Sequence, residues 1–170
     1  MALQSGGFLK QHHNIRQTMG ADATNSDATL VIDGFENMFI KAKSFPDPSS
    51  GIGGNIEVAM PLGNIYYKPQ QAKTAFNGSA SFIETEDRAI QAMFDQIRQN
   101  GGYFDAWLYH GTPDAFVNRK RLVKCFFEQA APTQRDFQSN TEILLLEGDI
   151  SGNYFGEMES GNVGTLMGGK

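Results

Sequence analysis

Apolar residues in this chain recur at every second position, in short runs cut by Gly, Pro, Asn and Asp. That period belongs to the half-buried β-strand, whose successive side chains point to opposite faces. In "ENMFIKAKS" Met38, Ile40 and Ala42 share one face, opposite Phe39, Lys41 and Lys43. In "NIEVAM" Ile56, Val58 and Met60 alternate with Asn55, Glu57 and Ala59. "GSASFIE" offers Ala80 and Phe82, and "YFDAWLYH" offers Phe104, Ala106 and Leu108 backed by Tyr103, Trp107 and Tyr109. "RLVKCFFE" reads as Val123, Cys125 and Phe127 against Leu122, Lys124 and Phe126, and "TEILLLEGDI" places Leu144, Leu146 and Ile150 on one face. About six to eight such strands with turn-rich junctions predict a mainly β fold, an antiparallel β-sandwich or barrel.

One segment departs from that period. "TEDRAIQAMFDQIRQNGG" carries Ile90, Met93, Phe94 and Ile97 at helical spacing, a single apolar stripe. Thr85 is placed to cap it, Glu86 and Asp87 sit in its first turn, and Gly101–Gly102 end it. The spacing predicts one flanking α-helix over about residues 86–99, lying on the sheet because a lone amphipathic stripe needs a hydrophobic partner.

The 170 residues suit one domain with no visible internal repeat. We expect an N-terminal arm at 1–27, a β-sandwich body at 28–151 and a Gly-rich C-terminal arm at 152–170. The arms read either as frayed ends or as segments that order against a neighbouring subunit. For docking they offer Phe8, Leu9 and Ile15 at one end, and Tyr154, Phe155 and Leu166 at the other. A net charge of −5 without a dense Lys/Arg run leaves no footprint for gripping nucleic acid. The single cysteine, Cys125, excludes an internal disulfide and fits a reducing compartment. No apolar run is long enough to span a bilayer, and the N-terminus lacks the apolar stretch of a secretory signal. The expectation is a soluble protein made inside the cell.

Residues with catalytic chemistry are not grouped. His12 and His13 are adjacent and suit no common metal spacing, while His110 precedes the turn "GTPD" and reads as a solvated side chain. Cys125 on an apolar strand face reads as a buried, inert thiol. "GIGGN" looks superficially like a phosphate-cradling loop, but a strand follows it where a helix should. Its glycines read as positions for positive φ and close backbone approach. No catalytic residue, metal ligand, cofactor or enzymatic activity is expected.

"DAWLYH" and "LVKCFFE" are apolar or aromatic on both faces. Two such strands leave greasy surface and open edges that a lone molecule would have to hide, which favours burial against other copies.

The order of elements carries a resemblance. "FIKAKSFPDPSSG" runs into a Pro/Gly arm, followed by "IEVAMPLGNIYYKPQQAKTAF", the "EDRAIQAMFDQI" helix, "LVKCFFEQAAPTQRD" and "NTEILLLEGDISGNYF". Over about residues 28–155 this resembles the tail tube proteins of contractile-tailed bacteriophages. The tubes of R-type pyocins and type VI secretion systems are similar more distantly. The arm followed by "MPLG" and the "QAAP" kink are the strongest local matches.

The resemblance implies a subunit of two packed sheets and a helix, closing in hexameric rings around a lumen and stacking as a hollow conduit for genome delivery within a contractile sheath. Positions 46–62 match a ring-stacking arm, with Pro46, Pro48, Gly51, Gly53, Gly54, Ile56, Val58 and Met60 at the interface. It implies as partners further copies of the chain, a tail sheath protein, a tape measure protein and transiting DNA held without specific binding. Baseplate and tail terminator proteins would meet the tube's ends, and the particle would be a virion tail made in the bacterial cytoplasm. DNA carries about one charge per 1.7 Å of axis, so a conduit should repel phosphate. Glu57 and Glu142 are the candidates to line the lumen. A baseplate-proximal tube initiator or cap is the near alternative. A monomeric carbohydrate-binding β-sandwich, using Tyr66, Trp107 or Tyr109 as a stacking platform, is the alternative of another class.

Overall fold

The computed structural model describes residues 6–18, 23–129 and 131–163. In chain order the elements are α1 (Gly6–Thr18), β1 (Thr29–Ile32), a 3-10 turn (Glu36–Lys41), β2 (Ala42–Ser44), β3 (Gly51–Ile52) and β4 (Asn55–Ala59). A second 3-10 turn (Pro61–Gly63), β5 (Ile65–Pro69), β6 (Ala72–Lys73), β7 (Ala75–Ile83) and α2 (Ala89–Gln99) follow. The chain then forms β8 (Phe104–Gly111), β9 (Phe116–Glu128), β10 (Leu145–Asn153) and β11 (Met158–Ser160).

Seven strands make one antiparallel sheet in the order β1-β8-β9-β10-β7-β2, with β11 also paired to β9. The fold is mainly β, as the period-two pattern implied. Residues of β1 and β7, far apart in that order, share one core with β8, β9, β10 and α2. The sheet therefore curls, but its end strands do not pair with each other, and no closed barrel forms among the described residues.

The helix stripe is buried as its spacing required: Ile90, Met93 and Ile97 lie in the core and Phe94 packs against it. Phe94 stacks on Phe127 at 4.4 Å between ring centroids and meets Phe82 edge-on at 5.2 Å. Burying the three aliphatic side chains contributes about 1.5–3 kcal/mol each, more than eleven residues of helix propensity supply. The helix starts at Ala89 rather than 86. Thr85 Oγ1 accepts from the Ala89 amide, and the Glu84 carboxylate accepts from the Ile90 and Gln91 amides, so the cap stands a turn ahead of the first helical residue.

Three expectations are corrected. "ENMFIKAKS" is not a strand: Glu36–Lys41 forms a 3-10 turn, and only Ala42–Ser44 is extended. Phe35 and Met38 face the core at a spacing of three, and Ile40 is exposed. Within β9 the inward set is Leu122, Cys125 and Phe127, not Val123 with Cys125. A β-bulge causes the slip: Lys124 has φ +49, and Phe104 pairs with Cys125 while Ala106 pairs with Leu122. One extra residue on β9 moves the later side chains to the other face. At the chain's end, Gly152 and Asn153 complete β10, Tyr154 is buried in the core and β11 joins the sheet, so the body continues past 151. At the other end Gly6–Thr18 is helical, with none of its residues buried.

The 3-10 turn makes a sharp stability prediction. Ile40→Ala should change unfolding free energy by less than about 0.5 kcal/mol, whereas Met38→Ala should cost about 1–3 kcal/mol. Urea denaturation of the two variants measures both.

Candidate functional site

The arm expected at 46–62 is one side of a longer structure. Gly51 and Ile52 pair with Lys73 and Ala72, and Asn55 through Ala59 pair with Pro69 through Ile65. Between these ladders the Gly53 amide donates to Gln71 O and the Gln70 amide to Gly54 O, and at the tip the Met60 amide donates to Asn64 O. The register is the same throughout, so residues 51–73 form one continuous β-hairpin. Leu62 and Gly63 turn it with φ +67 and +75. The positive φ expected at Gly51, Gly53 and Gly54 is not found there.

Antiparallel pairing puts directly opposed residues on the same face. Ile52, Ile56, Val58 and Met60 share one hairpin face with Tyr66, Lys68 and Gln70, while Asn55, Glu57, Ile65, Tyr67 and Gln71 lie on the other. Ile52, Ile56, Met60 and Tyr66 are exposed, Val58 is partly so, and Leu62 at the tip is fully exposed. A two-stranded ribbon is marginal alone in water. In this one a mainly apolar face, broken by Lys68 and Gln70 on the returning strand, meets solvent.

The approach to the hairpin is tightly held. Phe45 packs against the core, and Pro46 lies so close to Gly78 that a Cβ there would come within 2.5 Å of the proline Cβ. Asp47 then bridges two strands: its Oδ1 accepts from Lys120 Nζ at 2.6 Å on β9, and its Oδ2 lies 3.1 Å from His110 Nε2 on β8. Lys120 Nζ also donates to the Pro48 carbonyl at 2.9 Å. His110 Nδ1 contacts Asn118 Oδ1, so His110 is a partly buried member of a cluster rather than the solvated side chain expected. On the returning side the Tyr154 amide donates to Thr74 O.

Burial alone would push the Asp47 carboxyl up, but its hydrogen bonds to Lys120 and His110 and their charges outweigh that and hold it below the ordinary aspartate range. A depressed folded-state pKa contributes stability that is present above the unfolded value, about 3.9, and is lost as pH falls through the folded value.

The outer face of β8 around Trp107 and Tyr109 is covered from within the chain, whereas Tyr103 and Phe126 stay exposed. Arg119 lies over the Trp107 ring at 4.1 Å and Arg121 at 4.8 Å, and Tyr109 is buried beside Phe116. Arg121 reaches Asp33 at 2.7 Å and Asp105 at 3.3 Å, and Arg119 reaches Glu159. The hydrogen bond to Asp33, with the charges of Asp33 and Asp105, raises the Arg121 pKa against its partial burial. Arginine stems and guanidinium planes cover this face from within the chain.

A different outward surface is acidic. Along the β7–β10 ladder Glu147 opposes Ser81, itself buried against Ser44, Asp149 opposes Ser79 and Ser151 opposes Asn77, while on β9 Glu128 opposes Asp149 and the exposed Phe126 opposes Ser151. Those outward positions include no Lys or Arg. The structure does not place Glu57 or Glu142 here: Glu57 sits on the hairpin opposite Tyr67, and Glu142 precedes β10.

Phe8, Leu9 and Ile15 are exposed on α1, and Phe155 is exposed after β10, whereas Tyr154 is packed into the body's own core rather than free to dock. Leu166 and Ala130 of the "QAAP" kink lie outside the described residues. Cys125 is fully buried, and burial, with Asp105 nearby, pushes its thiol up to about 12. Among the described residues no three His, Cys, Asp or Glu side chains are grouped to hold a metal, and no helix is long and apolar enough to cross a membrane.

No protein-family model matches the chain, and no curated protein matches it in sequence. Solved structures do resemble it. A chain from the PVC sheath–tube complex of an extracellular contractile injection system, in the extended state, is similar at a TM-score of 0.63 and 12% identity, covering 86% of this chain and 97% of that one. A chain from the sheath/tube terminator of the same system has a TM-score of 0.59 at 13% identity, over 83% and 99%. A chain from the tube-terminating cap of the anti-feeding prophage has a TM-score of 0.60 at 13% identity, over 83% and 93%. The chain thus shares a fold found in contractile injection systems.

Two measurements check the site. The stability advantage of the protein over Asp47→Asn should shrink as pH falls below about 4, as read from urea midpoints across pH. Cys125 should resist a thiol reagent in the native state and react on unfolding; rapid native labelling would contradict its burial.

Proposed function

We propose that this chain is a structural, non-enzymatic subunit of the tube of a contractile tail. Copies associate in hexameric rings, and the rings stack into a hollow conduit. The observation that carries this is the hairpin 51–73, whose face of Ile52, Ile56, Val58, Met60 and Tyr66 has no cover within the described chain. A second copy completes it, and because such a contact is head to tail it propagates along the axis. Leu62, a non-glycine residue at positive φ, fully exposed at the tip, is the leading anchor. The fold likeness to contractile injection systems supports the same reading.

The open edges of the sheet, β1 and β2, are the places where neighbouring subunits continue the pairing within a ring. Its acidic, hydroxyl-rich surface of Glu128, Glu147, Asp149, Ser79 and Ser151 then faces the lumen and lets a polyanion pass without counterion-releasing contacts. The arms at each end, with Phe8, Leu9, Ile15 and Phe155, dock on neighbours. Sheath, tape measure, terminator and baseplate proteins are the partners of such a tube, DNA its transient occupant, and a virion tail its location.

A terminator or cap has nearly equal structural support; on that reading the chain would close rings without stacking them. A sugar platform at Trp107 or Tyr109 is disfavoured, because arginines lie over Trp107 and Tyr109 is buried; Tyr66 stays exposed on the hairpin.

Negative-stain microscopy of purified protein tests the proposal. Hollow filaments are expected, isolated rings would indicate the cap reading, and monomer at all concentrations would refute both. Ile56→Ser with Met60→Ser should abolish stacking while leaving the far-UV circular dichroism unchanged. Asp149→Lys with Glu147→Lys should assemble normally yet retain duplex DNA in the bore in low salt.

A further inference from the structure

The hairpin is anchored in two different ways. Its returning strand leads through the single residue Thr74 into β7, where Ala75 pairs with Asn153. Its outgoing strand is separated from β2 by residues 45–50, which have no ladder of their own. Beyond the packing of Phe45 on the core and of Pro46 on Gly78, this side is fixed by the contact of Asp47 with Lys120 and His110, together with the bond from Lys120 to the Pro48 carbonyl.

Lys120 is unusual for a lysine on a strand. Its side chain is only 12% exposed, and it is directed to the same side as Leu122, at the end of the core face. Its ammonium lies 5.7 Å from the Tyr154 ring centroid. An ammonium so withdrawn from water needs a partner, and the partner it has comes from the hairpin's root rather than from the sheet. Asp47 stays about half exposed, so the carboxylate can leave at small cost to itself, while the lysine would be left uncompensated. The charge pair therefore favours the held position strongly from one side only.

Resting on the tube reading above, we propose that Asp47 and Lys120 act as a catch that sets the direction of the hairpin relative to the sheet, and so its readiness to engage another copy. With the catch closed, the outgoing root is tied to β8 and β9 as well as to its own edge of the sheet. With it open, the hairpin pivots on the returning strand at Thr74–Ala75, and the sheet stays intact because none of its ladder bonds involves residues 45–50. Asp47 and Lys120 are positioning residues: neither lies on the apolar face that meets the next copy.

Unassembled protein at low concentration gives the direct test, so that the result does not depend on whether tubes form. Trypsin can cut the hairpin at Lys73, whereas Lys68 is followed by Pro69 and is resistant. Asp47→Asn should raise the rate of the Lys73 cut at least tenfold and speed hydrogen exchange at Gly51–Gly53 and Lys73. Exchange in β8, β9 and β10 should be unchanged. Lys120→Met, which keeps the volume and removes the charge, should do the same. The exchanged pair Asp47→Lys with Lys120→Asp should return cleavage toward the original rate, which a purely steric role for either residue would not allow. Cleavage and exchange in Asp47→Asn equal to the parent protein would overturn the catch. A normal catch in a protein that never assembles would instead leave the catch standing and sink the tube reading.

Discussion

One strand holds the two halves of this sheet together, and a single bulge makes that possible. β9 is thirteen residues long; its first part pairs with β8 and β11, and its last part with β10. A flat strand of that length would carry its period-two pattern through and present Leu122 and Cys125 to opposite sides. The extra residue at Lys124 cancels the mismatch, with Asp105 Oδ1 accepting from the freed Lys124 amide at 2.8 Å. Both Leu122 and Cys125 then reach the same core, and the added local twist turns the second half toward α2. The stacked Phe94–Phe127 pair sits just beyond this bend, so the helix packs where the sheet curls.

That arrangement leaves the hairpin outside the core. Among the described residues, all the buried side chains belong to the curled sheet, the helix or Tyr154, and none to residues 51–73. A ribbon of this kind has saturated backbone bonds but an unburied apolar face, so its stability must come from elsewhere. The body supplies part of it at the root, through Asp47 and the packing of Pro46 on Gly78. In a tube, another copy of the chain would supply the rest. The opposite treatment of the Trp107 face shows the contrast: there two arginines, held by three carboxylates, cover the chain's own aromatic surface.

The sequence carried the fold wherever a segment buries one face. β7, β8 and β10 show clean alternation, as does β4 although it buries neither face, and the stripe of α2 is unmistakable. It misled where the period changes inside a segment. Phe35 and Met38 follow a spacing of three that a strand template converts into Met38 and Ile40, and nothing in "LVKCFFE" marks Lys124 as the bulged residue. Half of the hairpin was hidden for a different reason: "IYYKPQQAK" buries neither face, so no alternation records it. The catch was out of reach altogether. Asp47 is 63 residues from His110 and 73 from Lys120, and only the folded sheet brings them together. In the β7–β10 ladder the individual acids were plain, yet their gathering on one side depended on the register.

If identical copies complete the hairpin's apolar face, its backbone must become better protected as those copies meet. Hydrogen exchange of the amides in 51–73, followed as protein concentration is raised, reads this most directly. Protection should climb steeply with concentration in the hairpin while the β7–β10 ladder keeps a constant rate. Hairpin protection that is already maximal in dilute monomer, and indifferent to concentration, would contradict it.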